Sequence, residues 1–180
     1  VFLVPDPERA LVHLDRFLEA SLSPSGLLEH FLRAPRLLSD FLFLISSSHW
    51  LADALVREAG LFRWLLGSDI LDQATTRAAL HAAARGAMRR FDRADLRANA
   101  LRRFQRRELL RIAAADLLGR KSFPQVVAEL SALADAIVTC AFEEATAIVE
   151  RRRGRAITAR VAIIALDREI SVMALFAGVQ

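Results

Sequence analysis

Two carboxylates, Asp167 and Glu169, stand two residues apart just after an apolar run, Ile157 to Leu166 (ITARVAIIAL). At the end of a strand such a pair can hold a divalent cation for phosphoryl or nucleotidyl transfer. They are the candidate metal ligands of the chain, although Asp-x-Glu is a common tripeptide and its spacing alone assigns no ion. A basic cluster lies earlier, where Arg102, Arg103, Arg106, Arg107 and Arg111 are interleaved with Leu101, Phe104, Leu109, Leu110 and Ile112. At 100° per residue Leu101, Phe104, Glu108 and Ile112 share one helix face. Glu108 therefore points to the core side, where a carboxylate needs a partner. Arg111, three residues on, is within reach. Asp116 falls on the same side and is placed to pair with Arg120. Apolar residues interrupt the basic run and no aromatic stacking platform accompanies it in the sequence. The segment therefore reads as a core helix with paired arginines, in preference to a site for RNA, DNA or nucleotide phosphates.

Other reactive residue types carry less. Arg151, Arg152, Arg153 and Arg155 form a basic hinge, read as a solvated helix end that suits the helix dipole. His13, His30, His49 and His81 show neither HxxxH nor HExxH spacing. Cys140 has no catalytic context and reads as a buried structural thiol. Trp50 and Trp64 are expected as core anchors. There is no GxxxxGK, no GxGxxG and no Gly-x-Ser-x-Gly elbow, so the common phosphate-loop and nucleophile-elbow chemistries are absent.

The elements that must position these residues are helices. Asp6-Pro7 and Ser23-Pro24 each combine a cap with a proline that loses no amide bond in a first turn. Ala34-Pro35 ends one helix and opens another. A serine of Ser46–Ser48 caps the next, Gly60 interrupts, and Leu61 to Leu66 makes a short apolar piece before Gly67. Thr76 to Phe91 is predicted as a helix. Asp92 to Asp95 caps a long one through Leu118, with Gly119 as its stop. Ser122 and Pro124 open a last helix to about Val149, whose buried face is predicted as Phe123, Val126, Val127, Leu130, Leu133, Ala134, Ile137 and Val138. After the basic hinge the β-branched run from Ile157 to Leu166 reads as a strand.

Composition agrees. Of 180 residues 54% are hydrophobic, enough for a sizeable core, and Ala, Leu and Arg dominate as they do in helices. A formal charge of +4 is a mild excess, not that of a dedicated nucleic-acid binder. The single cysteine excludes an internal disulfide and any cysteine-based zinc site, and it suits a reducing cytoplasm. No run of 18 uncharged apolar residues occurs, so no membrane span is expected. The predicted architecture is mainly α: a multi-helix array over residues 1–150, then a short, incomplete α/β remnant over residues 151–180.

The segments PDPERALVHLDRFLEA, LFRWLL, LRRFQRRELLRIAAADLLG and VVAELSALADAIV, in that order over residues 4 to 150, resemble the glutamine synthetase adenylyltransferase/adenylyl-removing family. The most specific part is the motif of Arg103, Phe104, Arg106, Arg107, Glu108 and Arg111, followed by Asp116 and Gly119. The resemblance implies helices that precede a nucleotidyltransferase core. It also implies AMP transfer to, or phosphorolytic removal from, glutamine synthetase, with Mg2+ and ATP or ADP, under a regulatory protein that signals nitrogen status. The PDPERAL start is closer to the leading, AMP-removing half.

The family pattern then breaks. Val161 to Leu166 looks like the first strand of the core, but Ala165 stands where the family has glycine, the turn is deleted, and Arg168-Glu169-Ile170 resembles a remnant of an Arg-Glu-Leu segment. No acidic residue occurs from Ser171 to Gln180, so the metal-binding Asp-x-Asp is missing. The expectation is a partial or degenerate member, with no catalytic residue to carry over, inactive as an isolated chain and cytoplasmic. The alternatives are a non-catalytic helical module that binds glutamine synthetase or its regulator, and, behind that, a basic nucleic-acid binder.

Overall fold

Proline at the first helical position sets the start of each of the first three helices. The structure, a computed structural model, describes residues 4–66, 69–157, 163–164 and 173–174. Helix α1 is Pro7–Ala20, α2 is Pro24–Arg33 and α3 is Pro35–Ser47. Asp6 caps α1 by accepting the Arg9 amide at 2.9 Å. Ser23 precedes α2 as expected, but its side chain makes no capping bond; its own amide instead donates to Ser21 Oγ at 3.4 Å. Ser48 caps α4, His49–Arg57, through the Leu51 amide. Gly60 opens α5, Gly60–Leu66, rather than interrupting a helix. A 3-10 turn, Asp69–Leu71, leads to α6, Arg77–Met88, capped by Thr76.

The long helix α7 runs from Ala94 to Leu117. Its cap position is Arg93, not Asp92, and Arg93 forms a two-pronged bond with Asp95 in the first turn. Its end is the one foreseen: Gly119 takes φ +63°, with Gly119 N–H on the Asp116 carbonyl and Arg120 N–H on the Ala115 carbonyl. That pair of bonds is the Schellman arrangement, which needs the left-handed conformation glycine adopts without strain. Helix α8 is Phe123–Arg153. Gln125 Oε1 reaches back to accept both the amide and the hydroxyl of Ser122, the reciprocal half of a capping box.

The chain divides into two units, residues 1–140 and 141–180. In the first, α7 lies between two apolar clusters. One gathers α1 to α5 around Phe17, Phe31, Phe41 and Phe62 and receives Leu110, Ala114, Ala115 and Leu118 from α7. The other joins Leu80, Ala84 and Met88 of α6 to Leu101, Phe104 and Ile112 of α7 and to Val126, Leu133, Ala136 and Cys140 of α8. A helix covered on two sides is buried on more than one stripe, and from Glu108 to Ala115 six of eight side chains are buried. Cys140 is a buried free thiol, as expected.

Two expectations about burial are corrected. The buried stripe of α8 in this unit is Val126, Glu129, Leu133, Ala136 and Cys140, whereas Phe123 is 76% exposed and Val127, Leu130 and Ala134 are also exposed. Trp50 is 46% exposed and anchors no core; Trp64 packs against the first cluster. By length and composition α8 passes for a membrane span, with mean hydropathy 1.5 over its most apolar window. In this fold its inner stripe is packed and its Glu129 is ion-paired, while 28% of that window is buried.

In the second unit, residues 151–153 are not a hinge but the last turn of α8, which stops at Gly154 with φ +66°. Three cations in a last turn favour the carbonyl end of the helix. Arg151 lies 3.7 Å from Glu144, and Glu150 accepts the Ile157 amide at 2.9 Å. The β-pairing among the described residues is two residues long, Ile163–Ile164 antiparallel to Met173–Ala174. The architecture is mainly helical; a two-residue pair is not the sheet of an α/β core, and most of the predicted strand lies outside the described residues.

Candidate functional site

Position along α7 decides the fate of each arginine. Arg111 is 1% exposed, the largest fully buried side chain among the described residues. Its Nε donates to Glu108 Oε2 at 2.9 Å, the pairing that the helical angles imply. Its Nη1 lies 2.9 Å from Glu129 Oε2 of α8, outside hydrogen-bond geometry, so that contact is Coulombic. Glu129 Oε1 accepts from Lys121 Nζ and from the Thr75 amide at 3.4 Å, and Lys121 also donates to the Gln73 carbonyl at 2.9 Å. Arg107 Nη2 adds a bond to Glu108 Oε1 at 3.3 Å. The result is a chain of alternating charge, Arg107–Glu108–Arg111–Glu129–Lys121, that ties α7, α8 and the 72–76 segment together. Burial alone would raise the Glu129 carboxyl. The Lys121 hydrogen bond and the Arg111 charge outweigh it and hold the group below its ordinary value.

The remaining motif residues divide between surface and core. Phe104 is buried. Arg106 points to Glu58 at 3.7 Å. Arg103 lies over the Phe91 ring at 5.9 Å, and Arg107 lies over Trp64 at 5.0 Å and Phe104 at 5.7 Å. Aromatic partners for the basic run thus exist, supplied mainly from outside it. The expected Asp116–Arg120 pairing is replaced. Asp116 is exposed, and Arg120, turned by the glycine stop, reaches Asp40 at 3.9 Å and Asp72 at 3.8 Å. Asp167 and Glu169 lie outside the described residues.

A second titratable cluster joins α1 to α4. His13 is buried, with its Nε2 3.3 Å from His49 Nδ1. Arg16 reaches His13 Nδ1 at 3.4 Å, Arg9 reaches His49 Nε2 at 3.3 Å, and Arg16 also pairs with Asp53 at 3.1 Å. Each neutral imidazole has one N–H and one bare nitrogen. With an arginine donor at either end, only two of these three contacts can be hydrogen bonds at once, whatever the tautomers. An added proton makes this worse. Burial, then Arg16 and His49, hold the His13 imidazole below its ordinary value against the pull of Asp53. The unfolded chain therefore takes this proton first. Stability from His13 is complete above about pH 6.5 and is lost as pH falls through the folded value. Urea midpoints are expected to drop between pH 7.5 and 5.5, and His13→Leu to flatten that part of the profile; an unchanged slope in the variant would remove His13 as the cause.

Residues 38–169 match the glutamate-ammonia ligase adenylyltransferase family. The chain belongs to this family. A search of curated proteins gave no match. The adenylyltransferase match begins within α3 and takes in every motif residue from Arg103 to Gly119, so the buried charge chain lies inside it, while α1 and α2 precede it. The description of the adenylyltransferase family itself names the protein acted on, glutamate-ammonia ligase, which is glutamine synthetase. Glu129 and Lys121 were not singled out by sequence reasoning. The available signal was that Glu129 falls on the 126–133–140 stripe of α8, where a lone carboxylate implies a cationic partner.

Proposed function

We propose that this chain supplies the helical scaffold of an enzyme that moves AMP on glutamine synthetase, and that residues 1–180 alone neither add nor remove AMP. The family match over residues 38–169 carries the first part. The second rests on the sequence after the helices: Asp167 and Glu169 are followed by no acidic residue through Gln180, so residues 1–180 hold no counterpart of the Asp-x-Asp that would hold Mg2+ in the family's chemistry. In this reading Mg2+ and ATP or ADP belong to the family's chemistry, the chain acts in the cytoplasm, and it is a degenerate or partial relative of the AMP-removing half. The role of α7 is to present the core that follows it. Of its arginines, Arg111 is buried between two carboxylates, Arg106 and Arg107 lie beside Glu58 and Glu108, and Arg102 bonds Asn99, which supports a scaffold over a nucleic-acid surface. A regulatory protein of nitrogen status completes the proposed set of partners.

The test incubates the purified chain with modified and unmodified glutamine synthetase, Mg2+, phosphate and ATP. AMP release and AMP incorporation are both expected at background. Turnover in either direction above that of a chain-free control would overturn the inactive reading.

A further inference from the structure

A groove of about 560 Å³ runs between α6 and α7, and its charge and shape are not used by the scaffold role. Its rim carries three guanidinium groups, Arg90, Arg103 and Arg107. Among the described residues Arg90 and Arg103 have no carboxylate partner. Arg107 shares Glu108 with Arg111, and its Nε is buried without a hydrogen-bond acceptor. The one carboxylate on the lining, Glu58, lies within ion-pair distance of Arg106 at 3.7 Å. The groove is therefore a concave surface with excess positive charge.

Its floor is made of side chains no larger than a methyl group: Ala83, Gly86, Ala87 and Ala100. A Cβ added at Gly86 would meet nothing within 4 Å, so the space above that turn of α6 is open. Phe91 and Phe104 form apolar walls. Arg103 and Arg107 are laid against rings, which costs them side-chain freedom in advance; with Arg107 Nη2 given to Glu108 and its Nε buried, Arg107 offers an anion its Nη1, while Arg103 offers its whole fork. The volume is that of a site for a small molecule.

We propose that this groove binds a small ligand with a phosphate or carboxylate head and a flat apolar body, the head meeting Arg90, Arg103 and Arg107 and the body lying on the alanine–glycine floor. The inference does not depend on AMP transfer and holds whether or not the chain is active.

Phenyl phosphate is the probe, titrated into the full chain by calorimetry at low salt, with inorganic phosphate and benzyl alcohol as the head-only and body-only comparisons. Phenyl phosphate is expected to bind at least tenfold more tightly than inorganic phosphate, and benzyl alcohol not to bind. Arg103→Ala and Arg90→Ala should each weaken phenyl phosphate several-fold. Gly86→Leu, which fills the floor, should abolish binding, with Gly86→Ala as a milder variant that keeps the helix intact. Arg33→Ala, on α2 and paired with Glu29 away from the groove, should change little. Equal affinity for phenyl phosphate and inorganic phosphate would overturn the proposal as an adventitious surface charge effect. So would no binding at all, or binding unaltered by Arg103→Ala and Gly86→Ala in variants whose circular dichroism is native.

Discussion

Arg111→Ala is expected to lower the unfolding free energy by about 3 kcal/mol, more than any other single change at the polar residues of α7. The side chain is fully buried and joins Glu108 of its own helix to Glu129 of α8. Truncation leaves two carboxylates in the interior, each with one remaining cation, Arg107 for Glu108 and Lys121 for Glu129. Those partners keep the cost at the lower end of the range for a broken buried pair. Urea unfolding followed by circular dichroism reads the change, and a loss under 1 kcal/mol would show that water reaches the site in solution. The control separates the worth of the pair from the penalty of an orphaned charge. Replacing Glu108, Arg111 and Glu129 together by Leu, Met and Leu should come within about 1 kcal/mol of the parent or above it, because well-packed apolar groups replace buried ion pairs at little cost. Acid acts on the same network. Glu129 is held below its ordinary value near 4.5, so its contribution is complete above that pH and is lost as pH falls through the folded value.

This network also marks what the sequence could and could not disclose. Glu108–Arg111 was legible because both partners sit on one helix, where spacing fixes their geometry. Glu129 and Lys121 meet it only after the Gly119 turn folds α8 back onto α7, and no local rule gives the rotation of one helix against another. For the same reason the inner face of α8 was misassigned. Apolar residues surround that helix, so a list of them predicts burial at Phe123 and Leu130 when a strict stripe through Val126, Leu133 and Cys140 would have excluded both. Helix starts were the most legible feature, since Asp6, Ser48 and Thr76 act through their own neighbouring amides. Within the Asp92 to Asp95 stretch expected to cap α7, Arg93 takes the cap position without a side-chain capping bond, and Asp95 in the first turn engages Arg93. Arg151 to Arg153 looked like a hinge only because polarity was taken for a break; arginine is a good helix former, and the break waits for Gly154. The groove was not legible at all, since its arginines come from α7 and the end of α6 while its depth comes from small residues whose absence of bulk leaves no signal in a pattern of hydrophobicity.

Phe41→Ala is the second large effect, expected at about 4 kcal/mol. Phe41 is fully buried, and its ring meets Phe17 of α1 at 4.7 Å, Phe31 of α2 at 5.4 Å and Phe62 of α5 at 5.1 Å between centroids. Four helices thus share one aromatic contact, and three of the ring pairs would lose a member together. Phe17–Phe62 at 5.6 Å and Phe31–Phe62 at 5.3 Å would remain around the cavity, held apart by helices that start at prolines and have little freedom to close inward. A site that collapses poorly keeps its cavity and hence the upper part of the usual cost. Phe41→Leu retains most of the volume and is expected to cost about 1–1.5 kcal/mol. Urea midpoints of the two variants decide the matter. If Ala and Leu cost the same, the penalty comes from the lost ring contacts and not from the void. If Ala costs under 2 kcal/mol, α1 to α5 close around the gap, and the aromatic cluster does not set the spacing of these helices.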